Sequence, residues 1–147
     1  MVGSYYFVKI SERQKQGLFK LKERYGIPVT GIIFMVLKKV AEYSDEYFSK
    51  LKDFLLANGE KYRKERKNVV LLLGRKDDLL YSVSQGFWEF LQRQMYSFQE
   101  AKVIAKFSSF SSSGKVRKDC SLFVRLLIDY VIANPQEFFW GDEGKRG

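Results

Sequence analysis

A strand that has no nearby partner constrains this chain more than any other feature. Residues 5–10, YYFVKI, alternate in the period-two manner of a half-buried strand, with Tyr6, Val8 and Ile10 on one face and Tyr5, Phe7 and Lys9 on the other. From Ser11 to about Ala57 the pattern is helical, so no hairpin closes on this strand. Its backbone donors and acceptors still need a second strand. That strand comes either from another copy of the chain or from a later segment of the same one.

The helical part is locally well marked. Ser11 and Gln14 have capping-box spacing. Leu18, Leu21 and Tyr25 form a buried stripe, Gly17 is a weak point within it, and Gly26 stands where a left-handed cap ends a helix. Pro28 permits a new helix start. Ile32, Ile33, Val36, Leu37 and Val40 then make a wide apolar face, and Phe34 and Met35 extend it nearly all round. Such a helix is expected inside a dimer or pseudo-dimer core. Ser44-Asp45-Glu46 opens a third helix, with Phe48, Leu51, Phe54 and Leu55 inward, which Asn58-Gly59 is expected to stop.

The second strand candidate is NVVLLL at 68–73. A helical stretch from Lys76 to Phe98 succeeds it, with Leu80, Val83, Phe87, Phe90 and Leu91 as its stripe. Residues 103–107 fit either helix or a short strand. A Ser/Gly/Lys loop from Ser108 to Lys118 leads to a last helix capped by Asp119 or Ser121, with Phe123, Val124, Leu127, Ile128 and Val131 apolar. Pro135 ends that helix, and Phe138, Phe139 and Trp140 are expected to pack back on the core. The organisation expected is an N-terminal unit at 1–58, a basic linker at 59–67, a second unit at 68–140 and a frayed tail at 141–147.

Charge and residue usage narrow the function. The 147 residues carry 26 Lys and Arg against 17 Asp and Glu, a net charge of +9. Residues 1–67 hold 15 basic and 8 acidic side chains, and residues 68–147 hold 11 and 9, so +7 of the excess lies in the first part. An anionic partner, nucleic acid before membrane, fits that excess. There is no histidine and one cysteine, Cys120. That removes the usual general base, intrachain disulfides and thiolate metal clusters. Asp77-Asp78 suits a helix start, Gly114-Lys115 lacks a phosphate-loop pattern, and no acidic cluster is evident. We therefore expect no enzyme, metal or cofactor. No apolar run approaches the roughly 20 residues of a membrane span, and no signal pattern opens the chain, so a cytoplasmic protein is expected. Few asparagines and one cysteine amid abundant charge suit a thermophilic source, against which stand seven glutamines.

In its order and spacing, the stretch from Tyr5 to Tyr43 resembles the ribbon-helix-helix family of DNA-binding proteins. The shared features are a strand ending at Ile10, the cap Ser11, leucines at 18 and 21, Gly26-Ile27, Thr30, Ile32-Ile33 and Val36-Leu37. The resemblance covers about 40 residues and implies a mostly helical fold with a short antiparallel β-ribbon. It also implies double-stranded DNA as partner, with Tyr5, Phe7 and Lys9 on the groove face. Val29, Thr30 and Gly31 would offer helix N-terminal amides to a phosphate. The chain departs from the family at Pro28, at Gln14 and in its two groove-facing aromatics. CSLFVRLLIDYV parallels VTGIIFMVLKKV when Thr30 is set against Ser121, so the second half reads as a diverged copy with a large insertion. Its groove face would be Asn68, Val70 and Leu72. A tandem pseudo-dimer and a homodimer through the first strand both stay open. By this resemblance the chain is a transcriptional regulator, a repressor of plasmid or viral type. The alternative is a protein-interaction or structural module, antitoxin-like, without base-specific DNA binding.

Overall fold

The strand at Tyr5–Ile10 (β1) finds its partner in the same chain. In the computed structural model, which describes residues 5–75, 78–108 and 121–139, it pairs antiparallel with Val69–Arg75 (β2). Phe7 faces Leu72, Val8 faces Leu71, Lys9 faces Val70 and Ile10 faces Val69. The register shifts between Tyr6, opposite Gly74, and Phe7. That leaves Leu73 unpaired, as in a β-bulge, and its side chain is buried.

Between the strands run three helices, α1 (Glu12–Tyr25), α2 (Val29–Glu42) and α3 (Ser44–Lys64). After β2 come α4 (Asp78–Arg93), α5 (Phe98–Ser108), α6 (Ser121–Ala133) and a 3-10 turn at Pro135–Glu137. Local chemistry sets the α1 boundaries. The Ser11 hydroxyl accepts from the Gln14 amide at 3.1 Å, and the Gln14 side chain accepts from the Ser11 amide at 2.9 Å. Gly26, at φ 70°, closes the helix by donating its N–H to the Lys22 carbonyl.

One core spans both halves. Val8, Ile10, Leu18, Ile32, Ile33, Val36, Leu37, Leu51 and Leu55 from the first half join Leu73, Leu80, Phe87, Leu91, Phe123, Val124, Leu127 and Ile128 from the second. Helix α1 packs on α6, and α2 packs on α1, α3, α4 and α6. The apolar surface of α2 that suggested a dimer core is thus covered within one chain. At the α1–α6 crossing a Cβ on Gly17 would lie 2.5 Å from Ile132 Cδ1, so this glycine is a close-approach site rather than a weak point. Phe138 and Phe139 are buried, the latter stacked on Tyr25 with ring centroids 4.0 Å apart.

Several boundaries differ from expectation. Helix α3 runs through Asn58-Gly59 to Lys64, so the basic stretch at 59–67 begins as the last turns of a helix. Asn58 spends its side chain on the Phe54 carbonyl at 2.9 Å, and Leu51 and Leu55 bury that helix well enough to carry the poor formers. The helix expected from 76 to 98 breaks at Gln94–Ser97. Tyr96 donates to the Leu91 carbonyl at 2.7 Å, and Ser97 and Glu100 form a reciprocal cap that starts α5. Residues 103–107 are therefore helical. Cys120, Asp119, Trp140, the loop at 109–118 and the 141–147 tail lie outside the described residues. Among the described residues no helix is long and apolar enough to cross a membrane.

Candidate nucleic-acid interface

The outer face of the ribbon is set by alternation. With Val8 and Ile10 each 1% exposed in the core, Phe7 and Lys9 must turn outward. On β2 the outward residues are Val70 and Leu72. Phe7, Val70 and Leu72 are 54%, 59% and 54% exposed. The cross-strand pairs Phe7–Leu72 and Lys9–Val70 therefore form one small surface of three apolar side chains and one cation. Asn68, also exposed, immediately precedes β2. Of the residues expected outward, Phe7, Lys9, Asn68, Val70 and Leu72 are exposed, while the side chains of Tyr5 and of Tyr6, expected inward, lie outside the described set.

A buried charge network fixes the ribbon to the helices. Asp129, on α6, is buried. It accepts from Arg13 Nη1 and Nη2 at 2.7 and 3.1 Å and from Gln14 Nε2 at 2.9 Å. Arg13 also grips Glu65, just before β2, with Nη2 to Oε1 at 2.9 Å. The hydrogen bonds to Glu65 and then Asp129 hold the guanidinium well above its ordinary pKa. Arg125, one turn into α6, donates from Nη1 to the Lys9 main-chain oxygen at 2.9 Å. The strand ends are thus tied to α1, α6 and the α3–β2 connection.

Val29, Thr30 and Gly31 open α2 and are half-buried. Pro28 supplies no side-chain cap, and the first helical hydrogen bond runs from Ile32 N–H to the Pro28 carbonyl at 2.9 Å. The amides of residues 29–31 are therefore outside the helical ladder. A Cβ on Gly31 would meet Ile27 at 3.1 Å.

A concavity of about 710 Å³ lies between the C-terminal half of α2, the start of α3 and Glu137. Three of its charged side chains, Glu46, Lys50 and Glu137, pair with one another. Lys50 bridges Glu46 at 2.9 Å and Glu137 at 3.5 Å, and the Tyr130 hydroxyl donates to the Glu137 carboxylate at 3.0 Å. Burial, then Glu137, pushes the Tyr47 hydroxyl up to about 12. Tyr130 is raised by burial first and by Glu137 second. Among the described residues no group of three or more Asp, Glu, Cys or His side chains is placed to hold a metal.

Two residues near the ribbon escaped sequence reading: Arg125, one of two charges on an otherwise apolar helix, and Lys67, one of a basic run. Comparisons with protein-family models, curated proteins and solved structures return no match to this chain.

Proposed function

We propose that this chain is a double-stranded DNA-binding protein of ribbon-helix-helix type, with both copies of the unit in one chain, acting as a transcriptional repressor. The observation that carries the reading is the intrachain antiparallel ribbon. It presents Phe7, Lys9, Val70 and Leu72 outward, over a core in which α1 packs on α6 and α2 on α4 and α6. The burial pattern supports the repeat. Ile32, Ile33, Val36, Leu37 and Val40 of α2, and Phe123, Val124, Leu127, Ile128 and Val131 of α6, stand at equivalent positions when Thr30 is set against Ser121. All ten are buried. Helix α5 falls between α4 and α6, where the longer second copy needs an insertion.

A two-stranded ribbon fits the major groove, roughly 12 Å wide. There Lys9 donates to guanine acceptors, while Phe7, Val70 and Leu72 pack on thymine methyl groups. The amides of Val29, Thr30 and Gly31, which precede the first helical hydrogen bond, suit a backbone phosphate. Occupying a promoter in this way blocks its use.

The test is fluorescence anisotropy on random-sequence duplexes across a salt series, followed by selection of a preferred site. The expected result is a log–log salt slope of about −0.9 per neutralised phosphate, with Lys9→Ala weakening the selected site. Absence of binding at low salt would refute the reading. A second reading rests on the apolar character of three of the four outward side chains: the ribbon docks a protein. Unchanged DNA affinity in Lys9→Ala, with loss of a protein partner in Leu72→Asp, would favour it.

A further inference from the structure

The cations beside the ribbon are distributed unevenly. At the end where Lys9 faces Val70, Arg125 reaches across from α6 to the Lys9 main-chain oxygen. Lys67, two residues before β2, donates from Nζ to the Glu65 carbonyl at 3.0 Å. Arg66 beside it is exposed. Of the carboxylates in this region, Glu65 and Asp129 are both gripped by Arg13, and Glu12 lies 4.0 Å from Lys15. Six cations (Lys9, Arg13, Lys15, Arg66, Lys67 and Arg125) thus stand against three carboxylates, an excess of three positive charges. Burial first, and the charge of Arg125 second, lower the pKa of Lys67, against the charge of Glu65, which raises it. Cations held in mutual repulsion are stabilised when an anion joins them. The equivalent flank on α2 differs. Where α6 has Arg125, α2 has half-buried Phe34, and Val29–Leu37 carries no charge.

We infer that Lys67 and Arg125, with Lys9, form a phosphate-binding site for the backbone of duplex DNA, on the α6 side of the ribbon only. This rests on the proposed ribbon reading and deepens it. The main electrostatic anchor lies beside α6 and the start of β2, and the α2 flank contributes amides alone. Contacts to phosphate position a protein without reading sequence, so the site sets affinity and register rather than base choice.

The experiment is anisotropy of the full chain on two labelled duplexes of unrelated sequence, from low to high salt. Lys67→Ala is compared with wild type, Lys67→Arg and the cleft variant Lys38→Ala. Loss of one phosphate contact reduces the slope by about 0.9 and weakens binding about eightfold at 0.1 M salt. The expected result is that loss in Lys67→Ala, equal on both duplexes, with Lys67→Arg and Lys38→Ala resembling wild type. Lys67→Ala/Arg125→Gln is expected to double the slope change. Its Arg125 change also removes the bond to Lys9, so Lys67→Ala alone carries the decision. If wild type binds and Lys67→Ala keeps its affinity and slope, the inference falls and the ribbon reading stands. Loss on one duplex only would make Lys67 a base reader and overturn it equally. If wild type binds neither duplex, the ribbon reading itself fails.

Discussion

Arg13 holds three elements through one guanidinium, and its removal strands a buried charge. In Arg13→Met, Asp129 loses two charge-assisted hydrogen bonds, at 2.7 and 3.1 Å, and among the described residues keeps Gln14. Breaking a fully buried pair in this way costs about 3–5 kcal/mol. The Arg13 side chain is about one-third exposed, so water reaches it and the lower end applies, about 3 kcal/mol. Replacing both partners by apolar groups removes the stranded charge. Gln14 and Glu65 then each lose a partner, at about 1 kcal/mol apiece, while the apolar pair packs at little or no cost. Arg13→Met/Asp129→Leu should therefore be more stable than Arg13→Met alone, by roughly 1–2 kcal/mol. Urea denaturation followed by far-ultraviolet circular dichroism measures this, with the m-value held constant as the check on two-state behaviour. If Arg13→Met stays within about 0.5 kcal/mol of wild type, or if the two single losses simply add, the network is a surface feature and the reasoning fails.

Packing and titration each give a further outcome. Gly17→Ala gains about 1 kcal/mol of helix propensity but drives its methyl into Ile132, an overpacking cost of about 1–3 kcal/mol. The change should be neutral to destabilising in wild type and stabilising by about 1 kcal/mol in Ile132→Ala, and equal effects in both backgrounds would contradict the close approach. Tyr47 ionises near 10 when unfolded and near 12 when folded. Between those values the unfolded state binds fewer protons, so stability present below pH 10 is lost as pH rises towards 12. Denaturation midpoints taken from pH 9 to 12 should fall in wild type and fall less in Tyr47→Phe. A flat profile, or an identical fall in the variant, would exclude this group.

The parts of the fold legible in the sequence are those that short-range chemistry decides. The Ser11–Gln14 box, the Gly26 cap and the stripes at Leu18–Leu21, Ile32–Val40 and Phe123–Val131 all appear where spacing puts them. Alternation alone turned Phe7, Lys9, Val70 and Leu72 outward. The pairing of β1 with β2 was foreseeable only as one of two choices, because strand alternation does not say which chain supplies the partner. Asn58-Gly59 misled because burial of Leu51 and Leu55 outweighs the local cost of two poor formers. The Ser97-Phe-Gln-Glu100 cap was present in the sequence but was masked by an apolar stripe that runs up to it. Arg13 and Asp129 are 116 positions apart, and no local pattern links them. For the same reason Arg125 could not be placed beside Lys9 in advance.

Covalent linkage of the two ribbon strands has a consequence for any DNA they contact. A symmetric dimer presents the same residues twice and so matches a palindromic site. Here β1 offers Phe7 and Lys9, β2 offers Val70 and Leu72, and the flanking helices differ in charge at the positions of Phe34 and Arg125. On the proposed reading the two halves therefore meet different chemistry. The β1 strand distinguishes guanine from thymine through one cation and one ring, whereas β2 has only aliphatic groups, which favour the thymine methyl. With a single hydrogen-bonding side chain among the four, base readout contributes little, and most of the binding free energy must come from phosphates. The excess of three positive charges at one end of the ribbon meets a phosphate backbone in either duplex orientation. On the same reading, direction comes from the bases that Lys9 and Val70 touch, which reversal of the duplex exchanges. On the proposed reading, two unlike strands in one chain thus exchange the doubled contacts of a symmetric dimer for a non-palindromic site.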